Sequence, residues 1–199
     1  MNTPEYTLQD TLRFYGEDAK RRLKPLLTFI IALWLIEIID QLFFGGALDG
    51  YGIIPRQLIG LRGIFFAPLL HGDFAHLLAN TAPFLILGFL VMARHEEQFP
   101  AITVLIIIIS GLGTWLIAPS NTVHVGASGL IFGYFAYLIV NAWYERSLAA
   151  IALAILVLAL YGGLLAGVLP ANGVSWQGHL FGIVGGVAAA YYYSGPRQI

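Results

Sequence analysis

Hydrophobic residues in this chain occur in long, nearly continuous runs rather than in the short alternating patterns of a soluble protein. An α-helix needs roughly 20 apolar residues to cross a bilayer. Six runs approach that length, at residues 26–44, 76–93, 99–118, 127–144, 148–168 and 176–194. The pattern therefore predicts an all-α membrane protein, a bundle of six transmembrane helices.

The polar segments between the runs differ in length. Short turns separate the second run from the third and the fourth from the fifth. Residues 45–75 instead form a long loop that contains the apolar segment Phe65-Phe66-Ala67-Pro68-Leu69-Leu70. That segment is too short to span but apolar enough to lie in the membrane interface. We expect a semi-embedded outer loop between helices 1 and 2, with two further outer loops at 119–126 and 169–175.

These runs divide the chain into three parts. We expect a polar cytoplasmic N-terminal segment (1–25), one six-helix membrane domain (26–194) and a cytoplasmic tail (195–199). The first 25 residues have neither an early apolar core nor a small-residue cleavage site, so we expect no cleavable signal peptide. Glu37 and Asp40 lie in the second half of the first run, where we expect a structural role.

Composition supports a membrane protein and excludes several chemistries. Hydrophobic residues make up 58% of the chain and charged residues 11%, whereas charged residues average roughly 25% in soluble domains. The net charge of −1 gives no electrostatic basis for binding nucleic acid. Because the chain has no cysteine, disulfides, thiolate metal sites and cysteine nucleophiles are excluded. We expect no metal and no cofactor.

The basic residues predict the orientation in the membrane. Cytoplasmic loops of membrane proteins are enriched in Lys and Arg. With the N-terminus inside, only Arg56 and Arg62 of the 10 basic residues lie outside. The cytoplasmic set is Arg13, Lys20, Arg21, Arg22, Lys24, Arg94, Arg146 and Arg197. Both termini are therefore expected in the cytoplasm, and we expect a bacterial or archaeal cell membrane.

Two polar residues lie within the apolar runs beside glycines. Ser128 lies at the outer end of the fourth run, and His179 lies inside the sixth. An ionisable residue within a span is costly, so it is a functional candidate by default. Glycines allow helix backbones to approach closely. They flank both residues, in the set Gly126, Gly129, Gly133, Gly178, Gly182 and Gly186. We predict that the two helices pack through these glycines and bring His179 to Ser128.

A third motif lies at the same predicted depth. His76 and Asn80 are four residues apart, so they share a helix face at the outer end of the second run. A serine nucleophile needs a base for its proton and donors for the developing oxyanion. We predict that Ser128 and His179 form a catalytic dyad. His76, Asn80 and the backbone N–H of Ser128 would supply the oxyanion donors. The sixth run has no acidic residue to complete a triad.

The other histidines are assigned no direct role. His95 begins a sequence similar to the zinc motif HExxH, but Phe99 replaces the second ligand, so we interpret it as a solvated turn. His71 and Asp73 are expected to shape the outer loop or cap the second helix. His124 lies in a loop four residues before Ser128.

Together these motifs resemble the rhomboid family of intramembrane serine proteases. The resemblance covers residues from about Arg62 to Gly186 and rests on three ordered motifs: His76-x-x-x-Asn80, Gly126-Ala127-Ser128-Gly129, and His179 followed by Gly182 and Gly186. It implies a rhomboid-like bundle that cleaves single-span membrane proteins with the Ser128–His179 dyad. The chain has Phe132 where well-studied members often have a tyrosine beneath the catalytic histidine.

Two other functions are compatible with the sequence. A non-catalytic protein of the same fold could bind single-span clients without cutting them. A small transporter could use His179 as a proton relay, although no inverted repeat supports this. Serine reactivity separates the protease from both alternatives.

Overall fold

The computed structural model describes residues 8–171 and 173–194. The predicted tail at 195–199, with Arg197, lies outside the described residues. Across the described ranges the chain forms seven α-helices, namely α1 (Leu8–Ile39), α2 (Gly63–Phe66), α3 (Phe74–Arg94), α4 (Phe99–Ile117), α5 (Ser128–Glu145), α6 (Leu148–Tyr161) and α7 (Trp176–Ser194). A π-helical turn, Asp40–Phe44, extends α1, and a 3-10 segment, Gly162–Val168, follows α6.

Local sequence signals explain where several helices begin. The carboxylate of Asp73 accepts a hydrogen bond from the N–H of His76 at 2.7 Å, so Asp73 caps α3 as the sequence suggested. The hydroxyl of Ser147 accepts from the N–H of Ala150 at 3.1 Å and caps α6. Pro100 lies in the first turn of α4, where its missing N–H costs no hydrogen bond. These caps satisfy amides that lack intrahelical acceptors.

Helix α1 is much longer than the first apolar run. It begins within the polar N-terminal segment, so the predicted boundary at residue 25 lies inside the helix. The Nε of Arg22 donates to Asp18, one helical turn away, at 2.7 Å. Arg21 and Arg22 also form ion pairs with Glu96, in the turn between α3 and α4. Each such pair near the surface is weak alone, but together they hold the polar part of α1 against that turn.

Helix α5 lies at the centre of the bundle, where it packs against α3, α4, α6 and α7. Its Tyr134 and Tyr137 side chains are completely buried. The Tyr134 hydroxyl lies 2.8 Å from the Thr103 hydroxyl of α4, which satisfies its hydrogen-bonding need inside the core. Glu37 and Asp40 are also buried, at 2% and 1% exposure, as expected for residues that face the bundle.

Several helices are apolar and long enough to cross a membrane. The segments that meet both criteria are Arg13–Phe44, Phe74–Arg94, Phe99–Ile117 and Leu148–Val168. Helices α5 and α7 lie deeper in the bundle and contain more glycine and tyrosine. The architecture is that of a multi-pass membrane protein; the crossing of α5 and α7 is part of the proposal below.

The long loop (residues 45–73) packs against the end of the bundle where α5 begins, here called the Ser128 end. Ile53 and His124 form an antiparallel bridge through two backbone hydrogen bonds of 2.9 and 3.0 Å. The indole N–H of Trp115 in α4 donates to the carbonyl of Gln57 at 2.8 Å. The phenyl rings of Phe65 and Phe66 remain exposed. Their contact with a membrane interface stays a prediction.

Helices α5 and α7 are in backbone contact through glycines. A Cβ atom on Gly182 would lie 2.3 Å from the carbonyl oxygen of Gly129. One turn further, a Cβ atom on Gly186 would lie 2.0 Å from the carbonyl oxygen of Gly133. Both distances are shorter than any van der Waals contact, and the obstructing atoms are backbone. Any larger residue at these positions must therefore separate the two helices.

We expect Gly186→Ala to destabilise the protein, because its methyl group cannot be accommodated without moving a backbone carbonyl. Overpacking of this kind costs about 1–3 kcal/mol. Gly163→Ala is the matched control, since nothing lies within 4 Å of a Cβ atom there. Thermal unfolding in detergent should show a lower Tm for Gly186→Ala only. Equal Tm values for the two variants would contradict the close helix contact.

Candidate active site

Ser128 is the first residue of α5, and the chain enters it through a constrained turn. Gly126 has φ +114°, a conformation that side chains other than glycine rarely adopt. A Cβ atom on Gly126 would also lie 2.7 Å from the imidazole of His76. Glycine is therefore required there for two reasons. As the first helical residue, Ser128 has a backbone N–H without an intrahelical acceptor.

The structure brings His179 of α7 into direct contact with Ser128. The Nε2 atom of His179 lies 2.8 Å from the Oγ atom of Ser128. The start of α7 is also held by α4, because the hydroxyl of Ser110 donates to the carbonyl of Gly178 at 2.9 Å. The contact between His179 and Ser128 joins two residues that are 51 positions apart in the sequence.

The second ring nitrogen of His179 fixes the proton arrangement. Its Nδ1 atom lies 2.8 Å from the carbonyl oxygen of Gly167, in the 3-10 segment after α6. A carbonyl can only accept a hydrogen bond, so Nδ1 must carry the proton in neutral imidazole. Nε2 is then left with a lone pair directed at the Ser128 hydroxyl. This is the tautomer that a general base requires.

Phe132 holds the face of the His179 ring. The two rings are stacked, with centroids 4.1 Å apart and planes 7° from parallel. Phe132 lies one helical turn after Ser128, so α5 supplies both the serine and the surface beneath the histidine. The stack and the Gly167 hydrogen bond together restrict rotation of the imidazole. The expected stacking surface is therefore retained without a hydroxyl group.

His76 and Asn80 lie beside the pair but are not bonded directly to it. The His76 ring contacts Gly126, two residues before Ser128. Asn80 is buried, and its Nδ2 atom donates to the carbonyl of His76 at 3.1 Å. One amide proton of Asn80 is therefore used within α3. Their contribution to an oxyanion site stays a prediction.

His71, in the outer loop as expected, is also a buried neighbour of the site. It is 1% exposed, and its Nε2 atom accepts from the N–H of Ala127 at 3.4 Å. Its ring lies edge-on to that of His76, with centroids 5.1 Å apart. Burial lowers the pKa of His71 to about 3, so the ring is neutral at neutral pH. His71 thus fixes the residue immediately before Ser128.

Four carboxylates lie near one another at the Ser128 end, from Glu37, Asp40, Asp49 and Asp73. Burial, and then repulsion by the other three, raises the pKa of Asp49 to about 6. In residues 8–171 and 173–194, no group of three or more such side chains has the geometry to hold a metal ion.

Two features differ from the sequence expectations. His95 is not a solvated turn residue: it is half-buried, and its Nε2 atom lies 3.0 Å from the amide oxygen of Asn141. The Gly167 carbonyl was not anticipated, because a backbone acceptor leaves no signal in the residue type. The absence of an acid from α7 was the only hint that another group must orient His179.

Comparison with known proteins gives a family and several relatives. A model of the Rhomboid domain matches residues 59–196. An uncharacterized protein of Mycobacterium tuberculosis is 48% identical over 182 residues, which cover 87% of this chain and 75% of the relative. A Mycobacterium leprae protein, also uncharacterized, is 44% identical over 182 residues, or 87% and 72% of the two chains. The Bacillus subtilis protein named "Putative rhomboid protease YdcA" is 28% identical over 179 residues, or 85% and 89%.

The chain therefore belongs to the rhomboid family, as its three motifs suggested. Members of this family are generally intramembrane serine proteases. The matched range includes α3 to α7, and thus Ser128, His179, His76 and Asn80.

Acidification should destabilise the protein through His71. The native pKa is about 3, whereas an unfolded histidine has a pKa of about 6.5. Between these values the unfolded state binds a proton that the native state does not. The stability contributed by buried, neutral His71 is therefore fully present above pH 6.5. As the pH falls from 6.5 toward 3, this stability is lost by about 1.4 kcal/mol per pH unit.

His71→Gln tests this effect, because its amide oxygen can replace Nε2 as the acceptor for Ala127 but does not titrate. From pH 7 to pH 5 the Tm of the parent should fall further than that of the variant. Identical pH dependence in the two proteins would show that His71 is not buried in its neutral form.

Proposed function

We propose that this protein is an intramembrane serine endopeptidase that cleaves single-span membrane proteins. The observation that supports this most directly is the 2.8 Å contact between His179 Nε2 and Ser128 Oγ. The Nδ1–H donation to the Gly167 carbonyl adds to it, since it leaves Nε2 free to act as a base. Membership of the rhomboid family agrees with this reaction.

The reaction follows from the proton arrangement. Ser128 Oγ attacks the carbonyl carbon of a substrate peptide bond while its proton passes to His179 Nε2. The resulting tetrahedral oxyanion collapses, the C–N bond breaks, and His179 returns the proton to the leaving amine. Water then attacks the acyl-enzyme ester with His179 again as base, which releases the new carboxyl group and restores Ser128.

The oxyanion would form beside the start of α5. The backbone N–H of Ser128 lies at a helix N-terminus, where the helix dipole favours negative charge. His76 and Asn80 of α3 lie on the adjoining side, through the contact of His76 with Gly126. We assign these three groups as oxyanion donors. A single donor of this kind contributes about 10²–10³ in rate.

In this proposal the domain at 26–194 crosses the membrane six times and the Ser128 end faces the outside of the cell. The distribution of basic residues supports this orientation. Arg21, Arg22 and Arg94 lie at the opposite end and pair with Glu96 and Glu145.

The cavity beside Ser128 has a volume of about 40 Å³. That is room for one or two water molecules.

A non-catalytic binder of single-span clients and a proton-coupled transporter are the alternatives. Neither function requires the contact between Ser128 and His179, nor the hydrogen bond that fixes the other ring nitrogen of His179. Labelling of Ser128 by a fluorophosphonate probe distinguishes them from a protease, since neither would react.

Ser128→Ala should abolish cleavage of a single-span substrate in liposomes, with a decrease of at least about 1000-fold. His179→Ala should have a similar effect, because the two residues act as a unit. The matched control is Ser120→Ala, which removes an exposed hydroxyl bonded to Arg56. Cleavage products should be measured for all three variants and the parent. If Ser128→Ala cleaved as fast as the parent, the nucleophile assignment would be wrong.

Phe132→Leu should lower kcat by about two- to tenfold, because an aromatic stack contributes roughly 0.5–1.5 kcal/mol beyond its buried area. Phe132→Tyr keeps the ring and should retain most of the activity. The measurement is kcat on the same substrate, with Tm recorded for each variant. Equal kcat values for Leu and Phe at position 132 would mean that stacking does not orient His179.

A further inference from the structure

His124 lies where three loops of the Ser128 end meet. Its backbone pairs with Ile53 of the long loop through hydrogen bonds of 2.9 and 3.0 Å. It precedes Ser128 by four residues and lines the same small cavity. Its side chain is half-buried and directed at the segment before α7. No step of the proposed reaction uses it.

The side chain of His124 forms an ordered set of hydrogen bonds. Its Nδ1 atom lies 2.7 Å from the hydroxyl of Ser175, and its Nε2 atom lies 2.8 Å from that of Thr122. The Thr122 hydroxyl donates to the carbonyl of Pro119 at 2.6 Å, so it must accept from Nε2–H. Nδ1 is therefore the acceptor for the Ser175 hydroxyl. Burial keeps the pKa of His124 below its usual value, which is consistent with this neutral ring.

Ser175 transmits this constraint to the candidate base. Its carbonyl oxygen accepts from the backbone N–H of His179 at 3.1 Å, in the first turn of α7. One residue is thus bonded to His124 through its hydroxyl and to His179 through its carbonyl. His179 in turn contacts Ser128, four residues after His124. The four residues form a closed ring across the mouth of the site.

We propose that His124 is a positioning residue that fixes the distance between Ser128 and His179 through its hydrogen bond to Ser175. This inference rests on the proposed function. The contacts among these four residues can all form only if the loop before α5 and the start of α7 keep their spacing. The hydroxyl of Ser175 joins this loop to the start of α7, beyond the glycine pairs. The long loop supports the arrangement through the backbone pairing of His124 with Ile53.

His124→Ala and Ser175→Ala should each lower kcat by about two- to tenfold, since both remove the hydrogen bond between His124 and Ser175. KM should not change, because neither side chain is assigned to substrate binding. The double variant should be no slower than either single variant, as both changes remove the same bond. His124→Asn should recover most of the loss, since its side-chain amide reaches the position of Nδ1.

Ser120→Ala is the control, because it removes a hydroxyl from the same loop without affecting a contact to α7. It should keep the parental kcat. A merely structural role for His124 would lower Tm without a selective loss of kcat and would not be rescued by asparagine. Parental kcat in Ser175→Ala, or additive losses in the double variant, would overturn the proposal. Ser175→Ala removes only one oxygen atom, so the test does not depend on folding of His124→Ala.

Hydrogen exchange provides a readout that does not use the reaction. Backbone amides at residues 176–186 should exchange faster in Ser175→Ala than in Ser120→Ala or the parent. Equal exchange in all three would show that the bond does not hold α7. Suppose instead that exchange at residues 176–186 is as expected but the parent does not react with a fluorophosphonate at Ser128. That result would contradict the proposed function and leave the role of the His124–Ser175 bond intact.

Discussion

The close contact of α5 and α7 is the constraint on which the rest of the site depends. Gly182 and Gly186 lie against backbone carbonyls of Gly129 and Gly133, at separations that exclude even a methyl group. Apolar side chains give little drive for helices to associate in lipid, so association depends on close packing and interhelical hydrogen bonds. The glycines provide the packing, and the polar contacts around Ser128 provide the bonds. A wider helix separation would remove the Ser128–His179 contact first, because a hydrogen bond tolerates only a few tenths of an ångström.

Much of this arrangement could be predicted from the sequence, because the relevant features are costly to maintain. A histidine inside an apolar run and glycines repeated every four residues are both unfavourable unless tertiary contacts compensate. They therefore identify the contacting helix faces. The capping role of Asp73 could also be expected, since an aspartate directly before a helix commonly caps it. Membership of the rhomboid family follows from the same motifs and the matched domain.

The remaining features depend on contacts that residue types do not encode. The acceptor for His179 Nδ1 is a main-chain carbonyl, which every residue possesses. Helix α1 extends far into the polar N-terminal segment, where hydropathy alone predicts nothing about helix length. His124 resembled an ordinary loop histidine. Its importance emerges only when its backbone pairs with Ile53 and its ring reaches Ser175, both distant in sequence.

A carbonyl in place of an acid has a chemical consequence for the proposed protease. A carboxylate buried among apolar helices would carry a large desolvation cost, whereas the Gly167 carbonyl fixes the histidine tautomer without adding a charge. Because the Gly167 carbonyl is neutral, it stabilises the imidazolium form of His179 less than a carboxylate would, since a dipole attracts a cation more weakly than an anion does. Transition-state stabilisation must therefore come mainly from the oxyanion side and from fixed geometry. That requirement accounts for a histidine held by a stacked ring, a carbonyl and a helix whose own start is bonded at several points.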